Sequence, residues 1–123
     1  MYMLARNLFA LLFLFSGVKH FIMREEMVQK VAAQGIWFPV TLHFLAGTLC
    51  LTAGVLLFLG QVRLGVCALW LFLLPATVLM HRFWGLDDSL LAQNQLTQFL
   101  KNLSILGGSL FLLLLVKEKK GIG

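Results

Sequence analysis

The chain has 123 residues, of which 60% are hydrophobic and only 12% charged, with a mean hydropathy of +0.92. A soluble domain carries about 45–50% apolar residues, and a fold of this length has too little interior to hide the excess, so the composition excludes a soluble catalytic domain. The net charge of +5 and pI near 9.7 do not signal nucleic acid, because the basic residues stand at the ends of apolar runs and form no stripe with interleaved aromatics; anionic lipid headgroups are their natural counterions.

A helix needs about 20 apolar residues to cross the ~30 Å hydrocarbon layer. Four such runs are predicted, from about Met3 to Ile22, Pro39 to Leu59, Leu64 to Met80 and Gln98 to Val116. The expected fold is therefore all-α, a single integral membrane four-helix bundle over residues 1–123 with short surface helices in the connections. Arg6 ahead of the first run resembles a secretory signal, but no A-x-A-like cleavage site follows and the run continues to Ile22, so it reads as an uncleaved span. Arg24 to Gln34 then places Met27, Val28, Val31 and Ala32 on one helical face with Gly35 as a stop, the pattern of a short helix lying on the membrane surface.

Gly60-Gln61-Val62-Arg63 is long enough only for a tight hairpin, which makes spans two and three antiparallel neighbours. Pro75 removes a backbone donor inside span three and is expected to bend it. Asp87 or Asp88 can cap a helix that passes through Leu90 and Leu91 into span four. Small residues offer faces for close helix packing at Gly17, at Gly47, Ala53 and Gly54, and at Gly107, Gly108 and Ser109. Basic residues divide evenly, with Arg6, Arg63, Lys117, Lys119 and Lys120 on the side of the termini and Lys19, Arg24, Lys30, Arg82 and Lys101 opposite. The compact lysine cluster in the tail and the free amino terminus tip the expectation toward both termini in the cytoplasm.

Measured outward from the turn at Gln61, His43 and His81 lie almost equally far along their helices and reach the same membrane face. Span one ends at that face with Lys19 and His20, and span four begins there with Gln98, Lys101 and Asn102. All three histidines, with Arg82, Trp84, Gln98 and Asn102, are thus expected at one end of the bundle. Such a set could hold a polar headgroup at the lipid boundary, for example a quinone whose carbonyl oxygens accept hydrogen bonds from imidazole or amide donors while its tail lies between helices. The competing reading is that these side chains sit at the bilayer edge simply because their tips prefer water. A metal or haem site from His20, His43 and His81 is not expected, since no tight ligand spacing such as H-x-x-x-H exists.

Cys50 and Cys67 differ by roughly 7–8 Å in depth along antiparallel helices at about 1.5 Å per residue, which is awkward for a disulfide. Both thiols are expected to be buried as small packing residues. The five acidic residues, Glu25, Glu26, Asp87, Asp88 and Glu118, fall outside the spans, so no carboxylate is available within the membrane for an ion relay.

Several strings carry a resemblance: F-S-G-V-K at Phe15 to Lys19, A-G-V-L-L-F-L-G at Ala53 to Gly60 followed by Arg63, the His81 and Phe83 pair, and Q-F-L-K-N-L-S-I-L-G-G at Gln98 to Gly108. Together, and over nearly the whole chain, they resemble the DoxX family of four-helix bacterial membrane proteins. By position the resemblance carries over Gly17, Lys19, Gly54, Gly60, Arg63, His81, Asn102, Gly107 and Gly108. Many relatives carry a glutamate where this chain has Cys50, four residues before Gly54, so any activity that needs the acid is expected to be lost or altered here. The resemblance implies small subunits linked to quinol oxidase or thiosulfate:quinone oxidoreductase systems, and partners of redox-defence enzymes.

The expected function is a redox-associated membrane subunit, not a self-sufficient enzyme, that meets quinol or a membrane oxidoreductase partner in the bacterial inner membrane. Quinone is the one cofactor this implies, with His20, His43, His81, Asn102, Gln98, Lys19 and Arg82 as the candidate headgroup site. A non-catalytic assembly or scaffold factor, using the small-residue faces to hold another membrane protein or a second copy of itself, is the alternative. A small-solute carrier is the third choice, disfavoured by the lack of acids within the spans.

Overall fold

The computed structural model describes the backbone of residues 1–122 and the side chains of residues 1–118. Five helices follow one another, α1 (Tyr2–Ile22), α2 (Arg24–Ala33), α3 (Pro39–Phe58), α4 (Val62–Met80) and α5 (Ser89–Ile122), and no strand occurs among the described residues. Four of them, α1, α3, α4 and α5, are long and apolar enough to cross a membrane. Leu11, Phe15, Leu45, Leu71 and Phe111 stand more than half exposed on their outer faces. An apolar exterior of this kind is suited to lipid, and the chain is an all-α multi-pass membrane protein.

In lipid the hydrophobic effect does not drive helices together, so close backbone approach and hydrogen bonds must do so. The α1–α3 contact uses the first device. A Cβ added at Gly17 would stand 2.8 Å from the Leu51 backbone, one at Gly54 2.8 Å from the Leu14 nitrogen, and one at Gly47 3.0 Å from the His20 Cβ. Cys50 lies between the two α3 glycines, fully buried, with its Sγ donating to the Phe13 carbonyl at 3.4 Å. Position 50 therefore holds a small residue set against the α1 backbone.

The α4–α5 contact uses the second device. Trp70 Nε1 donates to the Ser109 hydroxyl at 2.8 Å, which donates in turn to the Leu106 carbonyl at 2.6 Å, and Asn102 Nδ2 donates to the Thr77 hydroxyl at 3.0 Å. Ser109, Thr77 and Asn102 are all buried.

Three expectations need correction. Gly107 has no atom within 4 Å of an added Cβ, so it is not a close-packing position, whereas Gly108 meets Phe9 at 3.3 Å. Gly65, which the sequence did not single out, is closely covered by the Leu57 side chain at 2.8 Å. Cys67 is exposed on the outside of α4 and only Cys50 is buried; both are free thiols. The expected surface helix after span one is present as α2, but the second connection holds no separate helix, because α5 starts at Ser89 and runs unbroken into the membrane.

That start is fixed by Asp88, whose Oδ1 accepts from the Leu90 and Leu91 amides at 2.9 and 3.1 Å, the N-cap that satisfies donors with no helical partner. Asp88→Ala is expected to cost about 1 kcal/mol and to raise amide exchange in residues 89–92 without altering exchange further along α5. At the other connection Gly35 has φ +71° and Phe38 φ +55°. A bulky residue in the left-handed region immediately before Pro39 is strained, and this turn sends the chain from α2 into α3.

Candidate functional site: a histidine-lined groove

His20 stands in the last turn of α1, His43 in the second turn of α3 and His81 directly after α4. The rings of His20 and His43 stack at 5.1 Å between centroids with planes 23° apart, and Phe72 of α4 meets His20 edge-on at 5.9 Å. His20 Nδ1 donates to the Ser16 carbonyl at 2.8 Å, and His43 Nε2 donates to the His20 carbonyl at 2.7 Å. The second bond joins α3 to the end of α1, where helical carbonyls run out of backbone donors.

All three histidines line one cavity of about 410 Å³. The rest of its wall is apolar apart from Lys30, with Leu45, Ala46 and Leu49 on α3, and Leu71, Phe72 and Pro75 on α4. Leu42 and Leu45 of α3 and Leu71 and Leu79 of α4 are exposed side chains on its lining, so its α3 and α4 walls continue into the apolar exterior. Met27, Lys30 and Val31 of α2 complete its lining. The arrangement is a groove for an amphiphile, a polar end near imidazoles and an apolar end along two transmembrane helices.

The other residues expected at the site are distributed differently. Arg82 lies in an adjoining, more polar pocket of about 300 Å³ with Gln34, Trp84 and Gln95. Its guanidinium donates to the Gln34 side-chain oxygen at 3.1 Å and to the Gln34 carbonyl at 3.5 Å, holding the end of α2 against the end of α4. Asn102 is spent on Thr77, Gln98 accepts from Lys101 Nζ at 2.7 Å, and Lys19 is exposed. None of Asn102, Gln98 and Lys19 lines the cavity. Shared depth placed them at the right membrane face, but their helical azimuth turns them elsewhere.

Residues that sequence reasoning missed are Lys30 and Met27, which reach the groove from α2, and Gln95, whose Oε1 accepts from His81 Nδ1 at 3.0 Å. Gln95 was detectable in principle: it precedes Gln98 by three residues, and so shares a helical face with a residue already chosen. Among the described residues no three His, Cys, Asp or Glu side chains group as they would around a metal ion.

Fold and groove together describe a multi-pass α-helical membrane protein with four helices able to span the bilayer and a cavity lined by three histidines. The chain belongs to the DoxX family, which matches it over residues 1–82, that is 82 of 123 residues. The match takes in α1 to α4 and all three histidines, and α5 with the Gln98 to Gly108 string lies beyond it. Neither the curated proteins nor the solved structures gave a match.

Proposed function

We propose that this protein is a redox-associated membrane subunit whose groove holds a lipid-soluble quinone or quinol, with an oxidoreductase partner supplying the electron carrier. One observation carries the reading: histidines from three separate segments line a single cavity whose remaining wall is almost wholly apolar. Imidazole offers hydrogen bonding and aromatic stacking to a ring-shaped head, and suits proton transfer near neutral pH. The exposed leucines on its α3 and α4 walls suit an isoprenoid tail that runs out into lipid. On the lysine-cluster bias toward a cytoplasmic tail, the histidine end faces the outer side of the bacterial inner membrane.

The test is lipid extraction and mass spectrometry of detergent-purified protein, comparing wild type with His81→Ala and Asn102→Ala. Bound quinone retained by Asn102→Ala and lost from His81→Ala is the expected result, since only His81 lines the groove. A quinone-free wild type whose thermal stability no quinone analogue changes would sink the proposal, because a ligand specific to the folded state must stabilise it. That outcome would favour an assembly or scaffold role.

A further inference from the structure

The histidines of the groove share one kind of hydrogen-bonding capacity. A neutral imidazole has one N–H donor and one lone-pair nitrogen. His20 Nδ1 faces the Ser16 carbonyl and His43 Nε2 faces the His20 carbonyl. A backbone carbonyl only accepts, so in both rings the proton sits on the nitrogen that is already engaged. His20 Nε2 and His43 Nδ1 are left as acceptors. His81 repeats the pattern, with Nδ1 set against the side-chain oxygen of Gln95 and Nε2 left over.

The α4 wall of the groove also contains a break in the helical hydrogen-bond ladder. Proline has no N–H, so Pro75 gives the carbonyl four residues earlier no helical donor. That carbonyl belongs to Leu71, and Leu71 and Pro75 both line the groove at the depth where Phe72 meets His20.

We infer that the groove selects an amphiphile whose head brings hydroxyl donors, a hydroquinone, over the corresponding quinone, whose carbonyl oxygens are themselves acceptors. This rests on the reading under Proposed function and narrows it to the reduced member of the couple. A quinone oxygen placed against these nitrogens sets lone pair against lone pair, whereas a hydroquinone O–H finds a nitrogen lone pair to receive it. Apart from the engaged imidazole N–H groups, Lys30 is the one side-chain donor among the described lining residues, and it belongs to α2. When a two-electron acceptor in the partner oxidises the head, both electrons pass to that acceptor and the two hydroxyl protons pass to two of these lone-pair nitrogens. The histidines thus act as proton acceptors and not as donors that hold the oxidised ring.

The experiment uses the full chain in lipid nanodiscs at pH 8, where an imidazole of ordinary pKa is neutral. Three probes with the same alkyl tail are titrated under anaerobic conditions: a hydroquinone, its quinone, and the dimethyl ether of the hydroquinone, which keeps the ring and tail but has no donor. The shift in unfolding temperature reads binding. One retained hydrogen bond corresponds to about tenfold in affinity, so the hydroquinone is expected to bind at least about tenfold more tightly than either of the others. Equal or tighter binding of the quinone would overturn this inference and leave the proposed function standing, whereas no binding of any of the three would overturn both. Nitrogen-15 spectra of labelled histidine give an independent check, with His20 expected as the Nδ1–H tautomer and His43 as the Nε2–H tautomer; the reverse assignment would also overturn it.

Discussion

Gly54→Leu is expected to abolish the native bundle, and Gly17→Ala to destabilise it by about 1–3 kcal/mol, the usual cost of overpacking. The atoms that an added Cβ would meet at Gly17 include the nitrogen and Cα of Leu51, and at Gly54 the nitrogen of Leu14. Backbone cannot swing aside as a side-chain tip can, so the helices must separate along a contact that continues through Cys50 and Gly47. The loss propagates to the site, because His43 reaches the His20 carbonyl only while α1 and α3 stay this close. Gly107→Ala supplies the contrast: with no atom within 4 Å, it should change stability by less than about 1 kcal/mol and by helix propensity alone. Unfolding followed by circular dichroism in mixed micelles would separate the three. A Gly17→Ala protein as stable as wild type would show that the α1–α3 approach is looser than described.

His43→Phe is expected to lose bound quinone or quinol at least about tenfold, and about 1–3 kcal/mol of stability, the range for leaving a buried polar partner unpaired. The substituted ring preserves the stack on His20 but cannot donate to the His20 carbonyl. Because this variant disturbs both the helix contact and the groove, His81→Ala serves as its companion. His81 lines the same cavity, and its Nδ1 bonds to Gln95 of α5, away from the α1–α3 contact. Ligand loss in both variants, with a fall in unfolding temperature mainly in His43→Phe, is the expected pattern. Unimpaired ligand retention in both would remove the histidines from the site.

The spans, the short helix after the first span, the tight hairpin and a cap at Asp87 or Asp88 were legible in the sequence because each depends on local rules: run length, helical period, loop length and a capping side chain. The structure assigns the cap to Asp88. The gathering of the histidines was legible as depth, since counting from the Gln61 turn fixes distance along a helix axis. Azimuth was not. Asn102 and His81 reach the same face, yet Asn102 turns to Thr77 while His81 lines the cavity, and an all-apolar helix in lipid gives little period from which to read that rotation. The exposure of Cys67 was missed for the same reason. The imidazole donors first assigned to a quinone were invisible as spent donors, because their acceptors are backbone carbonyls, which no residue letter marks.

The position of α2 bears on how a ligand arrives. Met27, Lys30 and Val31 of α2 line the histidine groove, Arg82 clasps the end of that helix through Gln34, and exposed leucines stand on the α3 and α4 walls. For the quinol site proposed above, the expected access is lateral, by diffusion within the plane of the membrane. Occupancy then follows the mole fraction of ligand among the lipids and not its concentration in water. A short-tailed analogue that partitions poorly will look weak in any assay reported in aqueous molarity, even when its head fits. Changing the protein-to-lipid ratio at constant total ligand should move the apparent affinity in proportion.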